Sequence, residues 1–430
     1  MKQKEAFIPC SRRELINLCL KEGKLDNRDG VKFRDFCTIL AAYYHFKFHQ
    51  PLEGLKCSYA PFDPDTHVKS NMPSGDRPRM ELQLVAGVQH LLEQSNYVAI
   101  SKPSLKKALQ EKSLLDLDTE VDLNDFQQVI CYSRGEIEQV TSRKKFFFWK
   151  EQQTIELFAR VALLIKFKNT ADLAKRKVNG DKNKLEPNKI YLYLYKNLPK
   201  FDLEFIFPNV KIKMTKKDLI LFSVPALGAA ISIGWKIIPR LSLIASVLLY
   251  IMGLDTNIDA LEVEEEDVKN LMPLLLAILS LILTLGGFAF QQFSSYQSKQ
   301  FAFQKDVTEN LFYRRIATNS GVFKSLTDDA EEEVCKQIIL VYYHLLTSSV
   351  PLQPAELDQQ IETWMEEKFG STLDFDIDET LGSLEEIRGK VRNDELPLMS
   401  YDSEGNCQVL SLDDAKIVID YVWDNFFSYS

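Results

Sequence analysis

His45 and His49 stand four residues apart, the spacing that puts two imidazoles on one face of a helix and lets them share a metal ion. A third ligand would come from Cys57, Asp63 or Asp65. Phe46 occupies the place where a zinc protease carries its base glutamate, so that hydrolase motif is absent. The competing reading is a pair of structural histidines, and it outweighs the metal. The acid pairs Asp63/Asp65 and Asp376/Asp378 are spaced as helix caps and turns. No GxGxxG, GxxxxGK, GxSxG or CxxC occurs, and the seven cysteines are scattered, which points to free thiols in a reducing compartment. The expectation is therefore no catalytic residue, no cofactor and no metal, with His45, His49 and Asp65 as the residual metal candidates.

The histidines need a long helix to hold them, and the periodic run Phe33, Phe36, Leu40, Tyr43, Tyr44 predicts one over about 28–57. A capping box, Ser11 with Glu14, opens a shorter helix before it. The prolines of Tyr59-Ala60-Pro61-Phe62-Asp63-Pro64-Asp65 end the long helix. Further helices are expected at 80–94 and 101–112, and two strands, 158–168 and 189–196, are expected to pair across the basic loop 169–188. In the last third, helices at 326–346, 354–369 and 376–388 precede a hairpin of 396–401 with 407–410. A final helix at 412–426 completes a winged-helix order.

Charge divides the 430 residues further. Residues 1–218 carry 38 Lys and Arg against 28 Asp and Glu, whereas 299–430 carry 11 against 26. Between them lie two apolar stretches, about 219–238 and 271–291, each long enough to cross a bilayer. A short apolar segment at 241–254 and an acidic loop at 255–270 separate them. The fold class expected is therefore α+β, mostly helical: an integral membrane protein with a two-helix transmembrane hairpin. A basic α+β domain (1–210) would precede the membrane region (211–298), and an acidic winged-helix-like domain (299–430) would follow it. More Lys flank the outer ends of the spans than lie in their connection, which puts both termini on the cytoplasmic side. No signal peptide opens the sequence.

Several strings resemble the transmembrane protein 143 family, which is built on domain of unknown function 3754. They are Phe7-Ile8-Pro9, Asp35-Phe36-Cys37, His49-Gln50, Tyr59 to Asp65 with Pro61 and Pro64, and Lys196 to Pro199. Pro208, Tyr313-Arg314, Asn319-Ser320 and Ala330 to Glu333 follow in the same order. His49 keeps the family pattern and His45 departs from it. The resemblance implies two spans with soluble regions on both flanks, and no reaction. Animal members are associated with mitochondria and carry an extension ahead of the first motif. The present sequence starts almost on it, which fits a bacterial inner membrane better, with a mitochondrial membrane as the alternative.

The function expected is a membrane-anchored scaffold or adaptor that recruits a protein partner; the alternative is an oligomeric channel or transport accessory. The expected partners are the lipid bilayer, an unidentified protein and a second copy of the chain. Nucleic acid is not among them, because the helix over 376–386 would bring five acids and no base to a phosphate backbone.

Overall fold

A computed structural model describes residues 7–66, 76–109, 118–144, 150–168, 186, 188–213, 311–370 and 373–426, with individual helical positions between 276 and 309. The chain forms two units. The first comprises Met1–Gln110, Asp122–Ile206 and Leu311–Ser430; the second comprises Glu111–Val121 and Phe207–Asn310.

Capping starts the helices of the first unit. The Ser11 hydroxyl accepts from Glu14 N at 3.3 Å to open α1 (Arg12–Lys21), and the Asp26 carboxylate accepts from Asp29 N at 2.7 Å to open α2 (Asn27–Tyr59). Pro51 lies inside α2 and has no N–H to offer the Lys47 carbonyl, so one helical bond is missing there. Two further helices follow, α3 (Arg77–Gln94) and α4 (Lys102–Ala108).

A five-stranded antiparallel sheet comes next, in the order β1-β3-β4-β5-β7. Its strands are β1 (Val98–Ala99), β3 (Phe126–Lys144), β4 (Lys150–Phe167), β5 (Ile190–Pro199) and β7 (Arg315–Thr318). Of the two predicted strands, 158–168 and 189–196 pair as expected, with Val161 opposite Tyr195 and Ile165 opposite Tyr191. In the second unit, β2 (Asp118–Glu120) pairs with β6 (Lys211–Lys213), so that Asp118 faces Lys213 and Glu120 faces Lys211.

The centre of the first unit is α5 (Ser320–Thr347). Every residue from Ile338 to His344 is buried, as in a helix enclosed on all sides. α2 covers one face, stacking Phe36 on Tyr342 at 4.2 Å and setting Tyr59 edge-on to Phe323 at 5.1 Å. Rear elements cover others, α6 (Pro354–Phe369) and α7 (Ile377–Glu386) directly, while α8 (Leu412–Asp424) packs on α2 beside two ribbons. The ribbons are β8 (Arg388–Val391) with β9 (Asp394–Pro397), and β10 (Met399–Tyr401) with β11 (Cys407–Val409). Buried side chains from Ile8 to Ile419 form one continuous core. The acidic rear segment is therefore not a free-standing winged-helix-like domain; its helices complete a core that the basic front segment begins.

Among the described residues no helix is long and apolar enough to cross a membrane. That finding overturns the transmembrane hairpin in the expected fold class and the spanning-helix character that went with it; the fold is α+β. The two longest described helices are unsuited to lipid for a plain reason. α2 begins with Arg28, Asp29, Lys32, Arg34 and Asp35, and α5 carries Asp328, Asp329, Glu331, Glu332, Glu333 and Lys336. The stretch 219–238, the segment 241–254 and the loop 255–270 lie outside the described residues, and 271–291 is described only at single helical positions.

His344 carries a measurable cost of this core. Its ring is 1% exposed, meets the Gln360 amide at 3.1 Å through Nδ1, and has no hydrogen-bond partner at Nε2. Burial pushes its pKa down to about 4, with Lys24 adding to the shift. Above pH 6.5 the ring is neutral whether the chain is folded or not. Below that, the unfolded chain takes up a proton that the folded ring refuses until about pH 4. Stability should accordingly fall by about 3 kcal/mol between pH 6.5 and 4 through this group. Urea titrations across that range should show a shallower loss for His344→Gln than for the wild type; parallel curves would refute the assignment.

Candidate functional site

Near the start of the chain, Phe7 to Cys10 is fastened to α5 by a buried ion pair. The Glu333 carboxylate accepts from Ile8 N at 3.0 Å, and Lys336 Nζ donates to the carbonyls of Ile8 at 2.7 Å and Cys10 at 3.1 Å. Glu333 and Lys336 meet at 2.9 Å, one turn apart, and are 1% and 4% exposed. Burial raises the Glu333 pKa, and Lys336 opposes that shift. Phe7 sits against Gly135 of β3, whose positive φ of 71° and missing side chain leave room for the ring; a Cβ there would lie 2.9 Å from Phe7 Cε1. The Arg134 guanidinium lies over Phe7 and Tyr97 and pairs with Asp329 at 3.3 Å, while the Tyr97 hydroxyl donates to the same carboxylate.

The turn after α2 forms a second junction. Tyr59 Oη donates to the Ile190 carbonyl at 2.8 Å, Ile190 N donates to the Phe62 carbonyl, and Lys189 Nζ donates to the Asp63 carbonyl. Asn319, with φ of 49°, donates from Nδ2 to Asp65 at 2.8 Å and accepts from Leu192 N through its side-chain oxygen. Tyr59 and Asp65 from one string and Asn319 from a distant one thus converge where the sheet meets α5.

The metal candidates do not converge. His45 Nδ1 lies 2.9 Å from Glu331, Asp65 is held by Asn319, and His49 is exposed on α2. Among the described residues no group of three or more His, Cys, Asp or Glu is placed to hold a metal ion. All seven cysteines are free, and burial pushes the Cys19 and Cys335 thiols up to about 12, which keeps them protonated. Of the remaining motif residues, Phe7 and Pro9 belong to the N-terminal strap, and Pro199 is buried at the end of β5. Pro61 and Pro64 shape the turn, Lys196 and Tyr313 are exposed, and Pro208 lies in the second unit.

Charge between front and rear is complementary. Lys32 pairs with Asp413 at 2.6 Å, Lys416 with Asp35 at 3.0 Å, Lys47 with Glu386 at 3.8 Å and Arg12 with Glu331 at 3.7 Å; Lys368 pairs with Glu22. Acid remains in excess on α6 and α7. Between Pro354 and Glu386 there are eleven Asp and Glu and a single Lys, which is Lys368. Glu366, Glu367, Asp378 and Glu379 are exposed on these helices.

Residues 158–321 match the family described as Protein of unknown function (DUF3754). The match runs from within β4 to the first turn of α5, and Lys196, Pro199, Pro208, Tyr313 and Asn319 fall inside the matched range. No solved structure matches the chain.

The residues sequence reasoning did not single out are Arg134, Gly135 and Lys336. The signal for Lys336 was its place three residues after Glu333, directly ahead of the apolar run Ile338–Tyr343. Removing one member of a buried pair strands the other, at a cost of about 3–5 kcal/mol. Lys336→Met should lose that much in denaturant titrations, and Glu333→Met with Lys336→Met together should lose less than the two single changes summed. Additive losses would show that the pair is not coupled.

Proposed function

We propose that the chain belongs with the transmembrane protein 143 family, whose motifs it resembles from Phe7 to Glu333, and that it acts as a scaffold recruiting a protein partner. The observation behind this reading is the acidic excess of α6 and α7. The rear segment meets cations of the front segment at its inner side, and its single Lys between 354 and 386 is already engaged by Glu22. The exposed carboxylates left over suit a basic protein surface and repel a phosphate backbone. Such a surface governs partner choice and encounter rate more than raw affinity.

Deleting residues 354–430 would expose the core around α5, so the informative change is a local one. Glu366→Lys with Glu367→Lys reverses two exposed charges near the C-terminal end of α6, where cations also suit the helix dipole. The full-length protein purified at low salt should hold a stoichiometric protein partner, released by salt and absent from the double variant. A chain that purifies without a partner, or a partner indifferent to the reversal, would overturn the scaffold reading.

A further inference from the structure

α2, α3, α5 and α7 enclose a cleft of about 480 Å³, within the range of small-molecule sites. Its floor is apolar and comes from three helices: Phe48 and Leu55 of α2, Leu91 of α3 and Ile338 of α5. Two backbone features shape it. Gly87 lets α3 approach α2 so closely that a Cβ would lie 2.5 Å from Leu55 Cδ2, and Pro51 in the wall leaves the Lys47 carbonyl without its helical donor.

Polar side chains line the cleft from all four helices, His90, Gln94 and Gln337 as well as Lys47 and Ser383. Tyr44 is 2% exposed, and its hydroxyl has no hydrogen bond of normal geometry, Ser383 being the polar side chain that faces it. A buried hydroxyl left unsatisfied costs about 1–3 kcal/mol, so a ligand atom that accepts from it is rewarded. Lys47 lines the same cleft, with its ammonium 5.5 Å from the Tyr44 ring centroid and only 3.8 Å from exposed Glu386, a loose contact that a better acceptor displaces. Glu379 is the acid on the lining and is exposed at the mouth.

We propose that this cleft binds an amphiphile with an apolar chain and a single carboxylate, the chain lying on Phe48, Leu55, Leu91 and Ile338 and the carboxylate meeting Tyr44 Oη, Ser383 and Lys47. An acceptor head group suits the Tyr44 hydroxyl and the Lys47 ammonium, and an anion is preferred because Lys47 is the cation on the lining. A cationic amphiphile would leave Tyr44 unsatisfied and face the ammonium. The two readings share Glu379 of α7 but are tested apart, since Glu366 and Glu367 lie on α6, which does not line the cleft.

Gly54 supplies a clean test. It lines the cleft, and a Cβ built on it meets nothing within 4 Å, so a larger side chain starts in open space beside the apolar floor, and Leu improves a helix interior. Calorimetric titration of the full chain with decanoate, decanol and decyltrimethylammonium, below their aggregation limits, compares three heads on one tail. Decanoate should bind at one site per chain, at least tenfold tighter than decanol and with decyltrimethylammonium weakest. Lys47→Met should weaken decanoate about tenfold and leave decanol unchanged. Gly54→Leu should abolish decanoate binding while melting at or above the wild-type temperature. Absence of saturable decanoate binding, equal affinity for the cationic head, or decanoate binding that survives in Gly54→Leu would each overturn the assignment.

Discussion

The first unit depends on the enclosure of α5. Seven consecutive buried residues, Ile338 to His344, leave the second half of that helix no solvent face, so it folds only when every side there has a cover. α2 and α3 cover it from the front of the sequence, the sheet meets its start through Asn319, and α6 and α7 cover it from the rear. A helix in that position must also neutralise whatever polar groups it brings inside. Glu333 and Lys336 do so jointly, and they use the backbone of Ile8 and Cys10 to satisfy what the pair alone leaves open.

This arrangement explains why the charge asymmetry of the sequence is not a sign of separate bodies. A basic front and an acidic rear could have belonged to two domains with different neighbours. Instead, ion pairs such as Lys32 with Asp413 and Lys416 with Asp35 join them across about the full length of the unit's sequence. These pairs are partly exposed and contribute little individually. Their role is orientation, while the stacked rings of Phe36 and Tyr342 and the aliphatic core supply the stabilisation.

Local features were legible in the sequence where local physics decides them. Ser11 and Glu14 marked the start of α1, the prolines of 59–65 marked the end of α2, and the turn 402–406 lies between β10 and β11 as the hairpin pattern predicted. β3 was not legible: Arg134, Glu136 and Glu138 interrupt its apolar alternation, and its strand character comes from pairing along β4. The ribbon of β8 and β9 was hidden for a similar reason, since its turn uses Arg392 at a positive φ rather than a glycine. The strap on Glu333 and the cleft beside Tyr44 each require residues about 300 apart to meet, and no spacing rule reports that. The motif strings were visible, but their convergence at Asn319 was a property of the fold alone.

The separation of α2 from α5 in the chain also sets a timetable for synthesis. The ribosome completes the aromatic face of α2 at Tyr59, but the helix that covers it is not finished until Thr347. At about 5–20 residues per second, that interval lasts roughly fifteen to sixty seconds. Throughout it Phe33, Phe36 and Tyr59 have no partner on α5, and the nascent front segment exposes the same apolar surface that later becomes the core. Folding of this unit is therefore a late event dominated by contacts between distant parts of the chain, and the waiting segment is a natural client for chaperones that hold apolar helices.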